Sequence, residues 1–226
     1  MNIETKEDGK CVSAELHAIK LLLHHKADVS ATNHLGLTAA GIAALYGKDQ
    51  ARKVFEDAGA VENGAGYRNV LLVAAAEKDD LRQVHELVQK GASVNARDER
   101  GFTVSMWVAY WGHHGLLEQL IEKGADVKAR VWHGAAALPL ACGPKSNLET
   151  VKLLLDNGAN PNATTMDGTS VLMVAAETGD IERVQLLVDR GADVNARTNR
   201  GITAAMVAAE NGHARVLDLL KKHEAK

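Results

Sequence analysis

Residues 176–209 read AETGDIERVQLLVDRGADVNARTNRGITAAMVAA, and most of the chain repeats this stretch with substitutions. Its clearest marker is the six-residue segment Gly-Ala-Asp-Val-Asn-Ala. Versions of this marker begin at Lys26, Gly59, Gly91, Gly124, Gly158 and Gly191. The steps between them are 33, 32, 33, 34 and 33 residues. A fixed period of this size is typical of repeat proteins, in which each unit contacts mainly its neighbours.

The sixth unit shows why the period predicts helices. Residues 171–176 are apolar and suit a short helix, and Gly179 permits a tight turn after them. A second helix is predicted by apolar residues at helical spacing, namely Ile181, Val184, Leu187 and Val188. Gly191 is suited to end that helix, and the polar residues 193–199 predict an extended loop. Because one unit cannot bury both of its helices alone, the units must stack.

This order of helix, turn, helix and loop resembles the ankyrin repeat family, and the resemblance covers essentially the whole chain. It implies one all-α domain over residues 1–226, an ankyrin-repeat solenoid of about seven helix-turn-helix repeats with extended finger loops. The implied repeats cover approximately residues 1–32, 33–64, 65–97, 98–130, 131–164, 165–197 and 198–226. We expect the first and last repeats to act as caps, because each lacks a neighbour on one side.

The chain departs from the family at the Thr-Pro-Leu-His motif that opens each first helix. The matching segments begin at Thr38, Thr103, Ser170 and Thr203, and none carries the proline or the histidine at its motif position. We therefore expect the usual hydrogen bonds between repeats from that histidine to be missing, while the fold is retained.

The second and third repeats fit the pattern least well. Asp49 and Arg52 occupy positions that are apolar in the sixth repeat. We therefore predict lower local stability for the helix at residues 48–58. In the third repeat Arg68 or Asn69 stands where other repeats place glycine, which predicts a non-glycine residue at positive φ.

Composition and charge argue against several classes of protein. The net charge is -3, and 26 basic and 29 acidic residues are mixed along the chain, so no arm for nucleic acid is evident. Apolar runs such as 70–76 are too short to cross a bilayer. The first ten residues lack the apolar region of a signal peptide. We expect a cytoplasmic monomer with no nucleic-acid partner and no membrane association, and a processed secreted form stays open.

Residues with reactive side chains show no catalytic or metal-binding pattern. Cys11 and Cys142 fall on a repeat position that holds alanine elsewhere, which predicts small buried side chains and favours a reducing compartment. The histidine pairs 24–25 and 113–114 are adjacent in sequence, and adjacent residues do not share a helix face. The chain has no P-loop, no GxSxG and no dinucleotide fingerprint. We therefore predict no catalytic residue, no metal site and no cofactor.

Aromatic residues form only 4% of the chain, and five of the eight fall between residues 102 and 132. In ankyrin repeat proteins, partners usually contact the finger tips and the inner helix just after its pair of small residues. Carried over by position, the expected partner-binding residues are Arg100, Phe102, Tyr110, Trp111, Trp132 and His133. Trp107, the fifth aromatic residue of this group, is expected in the core. Tryptophan, tyrosine and arginine are enriched at binding hot spots.

These observations predict a protein–protein interaction module without catalysis of its own, which presents a concave surface to a protein partner of unknown identity. One alternative is that the aromatic residues only fill space left by the small Ser105. Another is a small-molecule or nucleotide sensor that uses the aromatic patch of repeats four and five, with Trp111 and Trp132 stacking on a flat ring. An enzyme built on the repeats has no group of residues to support it.

A set of arginines forms a second feature of the surface. Arg97, Arg130 and Arg197 share one repeat position near the fingers and could meet an acidic partner. Acidic neighbours such as Asp98 and Asp167 dilute this charge, which favours a solvated face.

Overall fold

Several helices begin where threonine, serine, asparagine or aspartate precedes the first helical residue. The hydroxyls of Thr103, Ser170 and Thr203 each accept a hydrogen bond from the backbone N–H three residues later. The side chains of Asn147 and Asp180 cap second helices in the same way. The first residue of the altered motif therefore keeps its role in starting the helix.

The computed structural model describes residues 5–7, 10–12, 14–33, 37–46, 48–59, 65–132 and 134–224. The helices within these residues are α1 (Ala14–His24), α2 (Ala39–Leu45), α3 (Asp49–Asp57), α4 (Ala65–Glu77), α5 (Leu81–Gln89), α6 (Val104–Trp111), α7 (His114–Glu122), α8 (Ala137–Ala141), α9 (Leu148–Asp156), α10 (Val171–Thr178), α11 (Ile181–Asp189), α12 (Ala204–Glu210) and α13 (Ala214–Glu224). The predicted all-α fold of helix-turn-helix repeats is confirmed, and α10 and α11 are the two helices predicted in the sixth repeat.

Contacts divide the chain into two compact units. The first comprises Met1–Leu72 with Glu86–Ser93, and the second comprises Val73–His85 with Val94–Lys226. In the first unit α3 packs against both α1 and α2. Near the start of that unit, two short strands pair in antiparallel fashion, and they are β1 (Thr5–Glu7) and β2 (Lys10–Val12).

The second unit stacks like helices on like. The first helices α6, α8, α10 and α12 pack in chain order, and the second helices α7, α9, α11 and α13 do the same. One leucine recurs at the same position of each second helix, at most 1% exposed, and these residues are Leu120, Leu154, Leu187 and Leu220. Burying a leucine side chain stabilises the fold by about 2–3 kcal/mol. Most of that burial depends on a neighbouring helix pair, as expected for stacked repeats.

Extended finger loops precede the first helices. Antiparallel bridges close them at Thr32–Thr38, Arg97–Thr103, Arg130–Ala136 and Thr164–Ser170. The tip of a finger requires a residue with positive φ, and Gly101 supplies it with φ of +85°. The finger loops implied by the repeat pattern are therefore present in the second unit. In the first unit the described residues show the same kind of bridge, between Thr32 and Thr38.

The third repeat departs from the prediction made for it. Arg68 and Asn69 lie within α4, which begins at Ala65, so the expected positive φ at one of them is wrong. The physical reason is that α4 extends back over the shortened segment. Asn69 there accepts a hydrogen bond through Oδ1 from the backbone N–H of Ser93, at 2.7 Å.

The asparagine of the repeat marker joins one repeat to the next. Asn95 donates through Nδ2 to the carbonyl of Gly124 at 2.9 Å and accepts from the N–H of Asp126 at 2.8 Å. Asn162 makes the same pair of bonds to its next repeat, at 2.9 and 2.7 Å. In the fourth repeat this position holds Lys128, whose side chain cannot accept a hydrogen bond.

The loop after α8 is held by a buried arginine. Arg183 is 5% exposed and donates to the carbonyls of Cys142, Gly143 and Ser146 at 2.8, 2.9 and 3.1 Å. Arg183 lies between the apolar positions that predict α11, so the pattern did not indicate burial. The structure nevertheless buries its side chain. The reason is that the fifth repeat's loop carries an extra residue, and its carbonyls need donors.

The structure describes the side chain of one cysteine, Cys142, and only the backbone of the other, Cys11. Cys142 is fully buried, as predicted, and burial raises the pKa of its thiol to about 12. The backbone of Cys11 lies in β2, and its side chain is outside the described residues.

Candidate functional site

Helix α6 has one face of buried aliphatic side chains and another face of half-buried aromatic side chains. Val104, Met106 and Val108 are buried, whereas the side chains of Trp107 and Tyr110 are half-buried. The aromatic residues of α6 recur three and four positions apart, which places them on one face. Ser105 is buried on the other side. Because residues two apart on a helix do not face each other, the Trp107 ring does not fill the space beside Ser105.

Four aromatic rings form a continuous series, here called the aromatic cluster, which consists of Phe102, Trp107, Tyr110 and Trp111. Phe102 stacks on Trp107 with ring centroids 5.1 Å apart and an angle of 25° between the rings. Trp107 meets Tyr110 edge-on at 6.0 Å, and Tyr110 meets Trp111 edge-on at 5.0 Å. Such ring pairs add about 0.5–1.5 kcal/mol each beyond their buried area. The cluster is therefore an ordered group rather than four separate side chains.

Two cations lie over the cluster. The guanidinium of Arg100 lies 5.2 Å from the centroid of Phe102 and 5.3 Å from that of Trp107. Arg100 also donates to Glu77 at 2.7 Å and to Asp98 at 3.0 Å. The hydrogen bond to Glu77 raises the pKa of Arg100 above its ordinary value. These contacts hold the guanidinium in one orientation over the rings.

At the other end of the cluster, the ammonium of Lys145 lies 4.1 Å from the Trp111 centroid and 5.4 Å from that of Tyr110. Lys145 lies in the loop after α8, which differs in length from the other repeats. The sequence carries no signal that this lysine reaches Trp111, because the path of an irregular loop depends on its tertiary contacts.

Two polar groups of the cluster lack hydrogen bonds. The indole Nε1 atoms of Trp107 and Trp111 are buried and have no hydrogen-bond partner in the part of the chain that the structure describes. A buried donor without an acceptor costs about 1–3 kcal/mol. Local costs of this kind are typical of surfaces kept for function.

The structure brings together four of the six residues expected at the site. Arg100, Phe102, Tyr110 and Trp111 meet through Trp107, which is half-buried and central to the cluster rather than in the core as expected. The helical spacing of residues 107, 110 and 111 was the signal that could have placed Trp107 there.

The remaining two expected residues lie on the next finger. Trp132 is 79% exposed, the largest exposed fraction among the large apolar side chains that the structure describes. His133 lies outside the described residues. The two fingers are joined by Arg97, whose Nη1 donates to the carbonyls of Gly101 and Arg130, both at 3.1 Å. The finger of Trp132 therefore lies directly beside the finger that carries Phe102.

The arginines at the shared finger position serve this joining role in more than one repeat. Arg130 donates through Nη2 to the carbonyl of Thr164, in the following finger, at 2.5 Å. Arg197 donates to the carbonyl of Gly201 within its own finger, at 3.4 Å. Two of these guanidiniums are thus engaged between fingers, which the shared position alone did not predict.

The described helices include none that is both long and apolar enough to cross a membrane. Within the same residues, no group of three or more His, Cys, Asp or Glu side chains is arranged to hold a metal ion.

Comparison with known proteins gives a family match. The family model described as "Ankyrin repeats (3 copies)" matches residues 71–165 and 138–226. Similar curated proteins include "Ankyrin repeat and KH domain-containing protein mask-1" of Caenorhabditis elegans, 36% identical over 110 residues. They also include two Homo sapiens proteins, "Ankyrin repeat and SOCS box protein 3", 33% identical over 101 residues, and "Neurogenic locus notch homolog protein 2", 31% identical over 157.

These alignments cover 48%, 43% and 68% of this chain, in that order. They cover only 4%, 19% and 6% of the relatives. The chain therefore spans less than a fifth of the length of each of these relatives.

Proposed function

Because this chain belongs to the ankyrin repeat family, we propose that it is a protein–protein interaction module that binds its partner through the aromatic cluster and the finger of Trp132. Ankyrin repeats are generally protein-binding modules, and the family is generally non-catalytic. The proposed surface consists of Arg100, the aromatic cluster, Trp132 and His133. The division of residues 1–226 into seven repeats of a single domain stays a prediction.

The observation that carries this proposal is that the side chains at repeats four and five are held in fixed orientations and are still partly exposed to solvent. The cluster rings are only half-buried, and Arg100 keeps 53% of its side chain exposed while contacts with Glu77, Asp98 and two rings fix its orientation. Side chains that are already ordered lose little entropy on binding. Aromatic residues and arginine are also the types that contribute most to protein interfaces.

The nucleotide-sensor alternative has less support from this geometry. A flat ring that stacked on Trp111 would have to displace the Lys145 ammonium, which already lies 4.1 Å from the ring centroid. We further propose a monomer in a reducing compartment, where the buried thiol of Cys142 stays free.

The test is affinity capture from a lysate of the source organism with three forms of the full chain. They are the native chain, Trp132→Ala and the control Met166→Ala. Met166 occupies the same finger position one repeat later and is 69% exposed, so its truncation is a matched change. Proteins that bind the native and control forms but not Trp132→Ala are the candidate partners.

Each candidate is then titrated against the same forms and against Trp111→Ala, with circular dichroism to show that every variant folds. A hot-spot tryptophan contributes at least about 2 kcal/mol, so both tryptophan variants should weaken binding about 30-fold. Full binding by both variants would refute the proposed surface.

A further inference from the structure

A groove of about 690 Å³ lies between α10, α12 and the fingers that precede them. It lies wholly within the second compact unit. Its apolar wall includes Val174, Ile202 and Val207, and its acidic rim consists of Asp167, Glu177 and Glu210. The groove therefore combines apolar surface with negative charge.

The groove occupies the position that the aromatic cluster fills three repeats earlier. A shift of 100 residues, equal to steps of 33, 34 and 33, carries each cluster residue to the equivalent position between repeats six and seven. The equivalents are Ile202, Val207, Glu210 and Asn211, and all four line the groove. Space that rings fill in repeat four is therefore open in repeat seven.

The same shift exposes a second difference. It carries Glu77 to Glu177 and Arg100 to Arg200. Glu77 and Arg100 form an ion pair at 2.7 Å, whereas Glu177 and Arg200 form none, in the part of the chain that the structure describes. A carboxylate that is already neutralised at the first position is therefore unpaired at the second.

The charges of the groove favour a positively charged ligand. Its lining contains three carboxylates but only one cationic side chain, the guanidinium of Arg200. Hydrogen bonds from Thr165 and Thr169 lower the pKa of Asp167, so this carboxylate is ionised at neutral pH. Glu177 and Glu210 are exposed to solvent. They line the same groove as the apolar residues Val174, Ile202 and Val207.

We propose that this groove binds an extended segment of a partner protein in which arginine or lysine adjoins an aromatic residue. The aromatic ring packs on Ile202 and Val207, and the cation pairs with Glu177 and Glu210. Repeat four contains the same chemistry within the chain, since Arg100 lies over the Phe102 and Trp107 rings and pairs with Glu77. The inference rests on the proposed function, because it assigns a class of partner to an interaction module, but it concerns a different surface.

The probe is the peptide acetyl-Gly-Ser-Arg-Phe-Ser-Gly-amide, titrated into the full chain with labelled isoleucine and valine methyl groups. The expected result is saturable shifts of the Ile202 and Val207 methyl resonances. Two further peptides, one with glutamate for the arginine and one with serine for the phenylalanine, should bind more weakly. Equal binding of all three peptides, or no saturable shift with the first, would overturn the proposal.

Variants of the chain test the geometry. Glu177→Gln and Glu210→Gln should each weaken binding about twofold to fivefold, the range of exposed ion pairs. The control Glu182→Gln removes the same charge from an exposed residue of α11 and should have no effect. The double variant Ile202→Phe/Val207→Trp places the rings of repeat four in the groove and should abolish binding without loss of helicity. Unchanged affinity in the carboxylate variants or in the filled variant would contradict the proposal.

Sedimentation of the native chain tests whether a second copy of the chain, rather than a partner protein, occupies the groove. Association between copies that Trp132→Ala removes and Glu177→Gln weakens would place a second copy in the groove and overturn the proposal of a partner protein. The two surfaces are tested separately, because failure of the peptide leaves the Trp132→Ala capture result unaffected, and the reverse also holds.

Discussion

At the scale of single residues, several polar side chains form hydrogen bonds that connect one repeat to its neighbour. Arg183 reaches back from α11 to three carbonyls of the preceding repeat. Asn95 and Asn162 bridge to the marker of the following repeat. Since stacked repeats depend on their interfaces, each such link contributes to the stability of more than one unit.

Replacement of Arg183 by methionine should lower the free energy of unfolding by about 2–4 kcal/mol, because one buried and two partly buried carbonyls lose their donor. The measurement is urea unfolding followed by circular dichroism. The control Arg215→Met removes an exposed arginine of α13 and should change the value by less than about 0.5 kcal/mol. Equal effects of the two variants would show that Arg183 does not hold the loop.

Lys128→Asn should stabilise the chain, because it supplies the donor and acceptor that Asn95 and Asn162 use at the same position. The expected gain is about 0.5–1.5 kcal/mol, the net contribution of such hydrogen bonds. Asn162→Lys should lower the free energy of unfolding by a similar amount. Asn195→Lys is the matched control and should have little effect, since no side-chain bond from Asn195 to a following repeat is described. A loss of stability in Lys128→Asn, read from the same urea unfolding, would contradict this account.

Burial of the Cys142 thiol makes stability depend on alkaline pH. The native pKa of about 12 exceeds the ordinary 9.0, so above pH 9 the unfolded chain releases a proton that the native chain retains. The free energy of unfolding should therefore fall as pH rises, by up to about 1.4 kcal/mol per pH unit relative to Cys142→Ala. Below pH 9 the difference between the two proteins should be constant. A constant difference up to pH 11 would argue against burial of the thiol.

At the scale of elements, the described helices differ in how firmly they are held. Helix α3 has no fully buried residue, and Lys48 provides no side-chain cap at its start. Helix α11 buries Arg183, Val184 and Leu187 and is capped by Asp180. The lack of buried residues follows from Asp49 and Arg52, which stand at positions that are apolar elsewhere. The missing cap follows from Lys48, whose side chain has no hydrogen-bond acceptor.

Backbone amides of α3 should therefore exchange with solvent faster than those of α11, by about tenfold or more, which corresponds to about 1.4 kcal/mol in opening free energy. The measurement is native-state hydrogen exchange resolved by residue, with rates corrected for intrinsic exchange. Comparable protection at residues 50–57 and 183–189 would show that half-buried contacts hold α3 as firmly as α11.

The sequence predicted regular elements better than irregular ones. Helices α10 and α11 followed from apolar spacing and the placement of Gly179 and Gly191, because these are local signals. The early start of α4 was missed, since a shortened segment can be absorbed by extending a helix as well as by straining a turn.

Side-chain placement was predicted only in part. The apolar spacing of α11 did not mark Arg183 as a buried position, although its repeat position holds Thr150 and Val216, which the structure also buries. The approach of Lys145 to Trp111 depends on a loop path that local sequence does not specify. Most of the proposed site was nevertheless predicted, because the spacing of aromatic residues and the finger positions follow the period.

At the scale of the whole molecule, one repeat geometry carries two surfaces of opposite character. Repeats three to five present rings beside a neutralised carboxylate. Repeats six and seven present an open groove in which Glu177 and Glu210 form no ion pair with another described residue. The repeat fold supplies equivalent positions 100 residues apart, and the side chains at these positions differ. This division is consistent with a module that recognises its partner at more than one point.

The most direct test of the central claim is hydrogen exchange of the chain, free and bound to the partner isolated with the Trp132→Ala comparison. We predict that binding slows exchange in the finger and helix at residues 98–112 and in the finger at residues 131–137. Helix α3 should show no change. Protection confined to the outer helices α7 and α9, with none at residues 98–112, would contradict the assignment of the aromatic cluster as the partner-binding surface.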